Sequence, residues 1–144
     1  MDNLIFREYI SNDYKGILSV WQLTGLGGAQ RGDNQDTIEN SIAIGGKFLV
    51  AVLNGLVIGT SWMTFDGRRI HLHHFGIHPD YQRKGIGELL AKESIRFAQS
   101  KGYQIKLEVH QSNSAAINLY TKLGFKYLGD YDVFIIRDLG SIPF

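Results

Sequence analysis

A chain of 144 residues, 44% of them apolar, is the size of one domain and carries enough apolar side chains for one core, so a single unit over residues 1–144 is expected. Fifteen basic and 14 acidic residues leave a net charge of +1, too weak a field for nucleic acid or an anionic membrane to be the main partner. The absence of cysteine excludes a disulfide framework, a thiolate metal site and a cysteinyl acyl intermediate.

Met1-Asp2-Asn3-Leu4 is acidic rather than basic, and the longest apolar run, residues 48–53, is far short of a membrane span, so a cytoplasmic location is expected. Residues 4–9 read as a first strand. Residues 13–24 carry Ile17, Leu18, Trp21 and Leu23 at helical spacing. Residues 25–34 are rich in glycine and polar groups and read as a loop, after which Asp36 is expected to cap a short helix running to Ile44. Two strands, 47–53 and 56–65, are joined by Asn54-Gly55, a dipeptide suited to the positive φ values of a tight hairpin. Asp66-Gly67 predicts a second hairpin, with its return strand over 69–77 stopped at Pro79. Residues 86–101 follow as a long helix closed by Gly102. A strand over 104–110, a helix over 114–123 closed by Gly124, and a final strand over 125–137 complete the order.

Chemistry concentrates first at Gln82-Arg83-Lys84-Gly85-Ile86-Gly87, between a strand and a helix. Glycines there admit a ligand to backbone N–H groups, and the helix dipole favours an anion, with Arg83 and Lys84 beside it. Taken alone the two glycines equally suit a crowded turn. A dinucleotide fingerprint would use Glu108, about twenty residues on, as its ribose acid, but Leu90 occupies the place of the third glycine and the preceding elements are hairpins. Thr24-Gly25-Leu26-Gly27-Gly28 lacks a following Lys-Ser or Lys-Thr and reads as a loop.

With Ile77-His78-Pro79 before that turn, and with Asn113, Ala116, Leu119, Tyr120, Gly124 and Phe125 spaced as a second block, the sequence resembles the GNAT superfamily of N-acetyltransferases. Within it, Asp66-Gly67-Arg68-Arg69 and Gly25-Leu26 are similar to a bacterial subgroup related to ribosomal-protein N-terminal acetyltransferases. The resemblance implies an α/β fold, a mixed and mostly antiparallel sheet splayed into a V and flanked by about four helices. It implies acetyl-coenzyme A as co-substrate, with pantetheine along Phe75, Gly76 and Ile77 and pyrophosphate at Gln82, Arg83, Lys84, Gly85, Ile86 and Gly87. Asn113 and Tyr120 belong to the same binding set. The acceptor would be a small amine, an amino acid or a protein N-terminus, attacked directly in a ternary complex. A homodimer is common in such folds, built here from the last strand or the tail 140–144. A module that senses acetyl-coenzyme A without turnover is the alternative function.

The resemblance assigns the proton donor for the departing thiolate to Tyr120. For the base, His71, His73, Phe75 and Ile77 share one strand face by two-residue alternation, and His73, with an ordinary pKa near ~6.5, is the first candidate. Glu108, in the position of the glutamate of ribosomal-protein acetyltransferases, is the second and would relay through water. His71, His73 and His110 also admit a zinc reading, but no fourth ligand is evident, so no metal is expected. His74 and His78 are expected on the other face or in the turn. On the acceptor side Trp21, Leu26, Arg31, Asp33 and Asn34 are candidates, although a tryptophan on such a helical face more often belongs to the core, and Asp33 in the site would imply a cationic amine.

Overall fold

The computed structural model of the chain describes residues 3–27 and 31–144. Among them, β1 (Leu4–Glu8), β2 (Lys47–Leu53), β3 (Leu56–Phe65), β4 (Ile70–Ile77) and β5 (Ile105–Leu107) form one sheet in chain order. The first four are antiparallel neighbours and β5 joins β4 in parallel. Four helices accompany them: α1 (Tyr14–Thr24), α2 (Gln35–Ala43), α3 (Ile86–Lys101) and α4 (Ser114–Lys122). This is the mixed, mostly antiparallel α/β architecture expected from the sequence. Among the described residues no helix is long and apolar enough to cross a membrane.

Both faces of the central strands are covered, which is why β2 reads as an almost unbroken apolar run. Phe48, Val50, Val52, Val57 and Trp62 pack against Ile17, Val20 and Trp21 of α1 and Ile38 of α2. Leu49, Ala51, Ile58, Met63, Ile70, Leu72 and Ile77 pack against Ile86, Leu90 and Ala98 of α3. Each fully buried side chain of this kind contributes roughly 1.5–3 kcal/mol. One polar tie crosses the second layer: Ser61 Oγ lies 2.6 Å from Ser94 Oγ, which in turn donates to the Leu90 carbonyl at 2.9 Å.

The hairpins form where expected. Asn54 and Gly55 take φ values of 50° and 81°, and Asp66 Oδ1 accepts the N–H groups of Arg68 and Arg69 at 2.8 and 2.7 Å. The cap of α2 differs. Asn34, in extended conformation, accepts the Thr37 N–H at 2.9 Å, and Asp36 instead lies in the first turn, where its charge complements the helix dipole.

Two strand expectations are corrected. The strand foreseen over 104–110 pairs only as far as Leu107, opposite Leu72, and His110 beyond it turns to bond Ser112. The segment 125–137 forms no strand. Its side chains from Tyr127 to Ile136 are largely exposed, Phe134 at 91%. Strand preference reflects packing on a neighbouring strand, and β5, the outermost strand, offers only three residues.

β4 carries the third departure. Between the pairs Thr60–Gly76 and Trp62–His73 it holds one residue more than β3, and His74 in this bulge has a φ of 44°. The extra residue inverts the alternation. His73 and His74 both face the α1 side, against Trp62 and Trp21, whereas Phe75 and Ile77 join Ile70 and Leu72 on the α3 side. His71, His73, Phe75 and Ile77 therefore do not share a face.

Candidate active site

Past Leu72 and Leu107 the parallel strands stop pairing, so β4 from His73 to Ile77 is bonded to β3 on one edge and lacks β5 on the other. Phe75, Gly76 and Ile77 lie on that unpaired stretch. Ile77 is tied further, its carbonyl accepting Gln82 Nε2 at 2.9 Å. The Gln82 side chain thus fastens the following turn to the end of the strand.

The turn itself is built from left-handed residues. Arg83 has φ 62° and Gly85, the residue preceding α3, has φ 82° with nothing within 4 Å of where a Cβ would stand. Conformation rather than crowding therefore demands glycine at 85. The first α3 hydrogen bond runs from Leu89 N–H to the Gly85 carbonyl, leaving the N–H groups of Ile86, Gly87 and Glu88 without helical partners. Gln82, Arg83, Lys84 and Gly85 are exposed around that positive end. Gly87 faces Ile77 and Leu119, to which a Cβ would lie 3.7 and 3.9 Å away, an ordinary contact distance. Glu88, the acid of the first turn, is neutralised by Lys122 at 2.6 Å, which also closes α4 onto α3.

The second block of the motif builds α4. Asn113 Oδ1 caps it through the Ala116 N–H at 3.2 Å, Leu119 borders Gly87, and Gly124, at φ 107°, turns the chain so that Phe125 N–H returns to the Tyr120 carbonyl. Tyr120 is buried, its ring edge-on to Phe75 at 5.9 Å and to Phe125 at 5.6 Å. Burial pushes its phenol up to about 12, so the hydroxyl keeps its proton throughout the neutral range.

The acceptor-side candidates divide. His73 Nε2 is 2.8 Å from Thr64 Oγ1, and its ring stacks with His71 at 5.8 Å. Burial, reinforced by His74 and His71, pushes the His73 imidazole down to about 4, well below the ordinary value expected from sequence. Glu108 is exposed one residue beyond the end of β5. His73 and Glu108 are the positions that follow the last pair, Leu72–Leu107, of the two strands. Trp21 is core, 1% exposed, with Nε1 donating to Thr60 Oγ1. Asn34 serves as the α2 cap, Arg31 is exposed, and Leu26 lies against Gly76.

His74, expected on the face opposite His73 or in the turn, is corrected: the bulge in β4 turns it to the side of Trp21 and Trp62. It lies on the same side as His73, its Nε2 2.9 Å from Asp33 Oδ2. His78 is in the turn as expected, its Nδ1 accepting the Asp80 N–H. Among the described residues no group of three or more histidine, aspartate or glutamate side chains is arranged to hold a metal ion.

A strand edge without its neighbour leads to a positive helix start, an arrangement chemically suited to an extended ligand with an anionic end. The family model for the acetyltransferase (GNAT) family matches residues 15–125. The chain belongs to that family. It is 28% identical over 127 residues to an acetyltransferase of Pectobacterium atrosepticum, covering 88% of each chain. Among solved structures it resembles the ribosomal-protein-S18-alanine N-acetyltransferase of Escherichia coli, with TM-score 0.73, 23% identity, and coverage of 85% of this chain and 77% of that one. It also resembles the PaiA N-acetyltransferase of Thermoplasma acidophilum, solved in complex with coenzyme A, with TM-score 0.71, 23% identity, and coverage of 85% and 89%. These likenesses extend the shared fold beyond the matched motifs.

Proposed function

We propose that the whole chain acts as one cytoplasmic N-acetyltransferase domain that moves an acetyl group from acetyl-coenzyme A directly to a primary amine. The observation that carries this reading is the unpaired edge of β4 at Phe75–Gly76–Ile77, which leads into the N-terminus of α3 at Gly85. Acetyl-coenzyme A supplies the activated acetyl group as a thioester. Phe75, Gly76 and Ile77 offer backbone groups to its pantetheine arm, while the N–H groups at Gly85, Ile86 and Gly87, with Arg83 and Lys84, receive its phosphates. Gln82 contributes by holding the turn, and Asn113 by fixing the start of α4, which carries Tyr120.

Tyr120 Oη holds the proton that a departing thiolate takes. For the base the physical argument reverses the order suggested by sequence. A general base works best with a pKa near the operating pH, and His73 is held near 4 with Nε2 already engaged by Thr64. Glu108, exposed just past the end of β5 and without a side-chain hydrogen bond or ion pair among the described residues, is instead accessible to a bridging water and is taken as the base, with His73 lining the acceptor path as a neutral imidazole. The absence of cysteine favours direct attack over a covalent acyl-enzyme. The acceptor is a small amine, an amino acid or a protein N-terminus.

Calorimetry with acetyl-coenzyme A, together with thiol release across a panel of amines and N-terminal peptides, tests this reading. Glu108→Gln should lower turnover by roughly 10²-fold or more with little change in cofactor affinity, and His73→Ala by less. The opposite ranking would return His73 to the role of base. Binding without thiol release, unaltered by Tyr120→Phe, would instead support a non-catalytic acetyl-coenzyme A sensor. We also propose a homodimer through the apolar segment around Val133, Phe134, Ile135 and Ile136, since so many large exposed apolar side chains in one stretch mark a contact surface. A monomeric mass by light scattering would refute it.

A further inference from the structure

The His74–Asp33 pair takes no part in the groups assigned above, yet it is held by several contacts, with His74 Nδ1 buried and without a hydrogen-bond partner among the described residues. The His74 ring packs on Trp21 at 4.6 Å and Trp62 at 5.2 Å. Its carbonyl accepts Thr60 Oγ1–H at 2.7 Å, and Thr60 in turn accepts Trp21 Nε1–H at 3.0 Å. Gly27 lies so close that a Cβ there would stand 2.0 Å from His74 Nε2 and 2.9 Å from Asp33 Oδ2. Leu26 closes on Gly76, where a Cβ would fall 2.8 Å from Leu26 Cδ1. Leu26 and Gly27, after α1, and Asp33, before α2, thus lie against β4, with the Asp33 carboxylate bonded to His74.

That carboxylate has capacity left. Among the described residues only Oδ2 of Asp33 is hydrogen-bonded, and the side chain is 17% exposed. Burial holds His74 below its ordinary pKa against the pull of Asp33, so at neutral pH the imidazole donates through Nε2 and the pair keeps the negative charge. Arg31, whose charge also reaches His74, is exposed and forms no ion pair with Asp33 among the described residues. The width of an imidazole separates the carboxylate from the β4 backbone. On the acetyl-transfer reading the thioester lies along β4, so a carboxylate held one imidazole away from that strand is set back from the reacting nitrogen and suits a charge carried elsewhere on the acceptor.

We propose that Asp33, positioned by His74, selects the acceptor, and that the acceptor is a primary amine carrying a second positive charge a short carbon chain away from the reacting nitrogen. This rests on the acetyl-transfer reading and names the substrate class for it. Two probes of equal length, 1,4-diaminobutane and n-butylamine, separate the second charge from everything else. Thiol release with acetyl-coenzyme A should favour the diamine by about tenfold or more in kcat/KM. Asp33→Asn, which preserves an acceptor for His74, should remove that preference by raising the KM for the diamine, with kcat and the KM for acetyl-coenzyme A unchanged. Asp33→Glu should restore part of it. His74→Ala should raise the same KM, and His74→Gln, which places an N–H near the lost Nε2, should recover it. Equal use of both probes by the native protein, or a preference that survives Asp33→Asn, overturns the proposal. If neither probe is turned over, calorimetry on the coenzyme A-loaded protein decides: absence of diamine binding at millimolar concentration also overturns it. Failure to bind acetyl-coenzyme A in the first place would overturn the acetyl-transfer reading itself.

Discussion

Thr64 Oγ1 and His73 Nε2 meet at 2.8 Å across neighbouring strands, so the imidazole that sequence suggested as base is already engaged on β3. The cost of burying that ring appears on acidification. An unfolded histidine takes up a proton near ~6.5, whereas His73 in the folded chain does so only near 4. Between those values the unfolded state binds the extra proton, so stability rises with pH across the window and falls as acid is added. The penalty is absent above the unfolded value and complete below the folded one, amounting to at most roughly 3 kcal/mol before partial solvation reduces it. His74, shifted the same way, adds to it. Urea midpoints of the native protein should drop between pH 7 and pH 4.5 by more than those of His73→Gln.

Gly85 is required for its φ of 82°, in open space. Gly85→Ala should cost about 1–2 kcal/mol of stability through the left-handed backbone alone. Gly85→Glu adds bulk and negative charge at the positive end of α3 and should abolish acetyl-coenzyme A binding. Near-normal affinity in titration calorimetry would remove the phosphate assignment.

Tyr120→Phe keeps the ring contacts with Phe75 and Phe125 and deletes only the hydroxyl. Thiol release should slow by roughly 10²-fold or more, with cofactor affinity preserved. Because the phenol titrates only at about 12, the native pH–rate profile should show no alkaline limb from this group below pH 10. A profile unchanged in height by the substitution would leave Tyr120 a packing residue.

Ser94→Ala strands the buried Ser61 hydroxyl and should cost about 1–3 kcal/mol, whereas the double variant Ser61→Ala/Ser94→Ala should recover most of that loss. Equilibrium denaturation of the four proteins measures the coupling. Since this pair joins β3 to α3, the helix proposed to receive phosphates, the single variant should also show faster amide exchange at the start of α3.

Much of the fold could be read locally because short signals carried it. Asn54-Gly55 and Asp66-Gly67 supply turn geometry within a few residues, and α3 is bounded by Gly85 and by Gly102, whose N–H returns to the Ala98 carbonyl. In the candidate site, Gly85 lies at the start of α3 and Tyr120 within α4, the elements read for them from local turn and helix signals. The bulge at His74 was not legible, because an extra residue in β4 exists only relative to the register of β3, and that pairing is not written in either strand alone. Nor was the Asp33–His74 contact, whose members are 41 residues apart and meet only after α1 has docked. The last segment misled for a related reason. Val133 to Ile136 has strand-like composition, but composition does not supply a partner.

The three-residue pairing of β5 also bears on how the protein must be handled. Sheet margins with unsatisfied N–H and C=O groups recruit any extended polypeptide, and β4 past Leu72 is such a margin. Protein stripped of acetyl-coenzyme A should clump on storage or concentration. Ligand at a hundredfold excess over its Kd should both shield the margin and add about 2.7 kcal/mol to the folded state, making it the natural additive during purification.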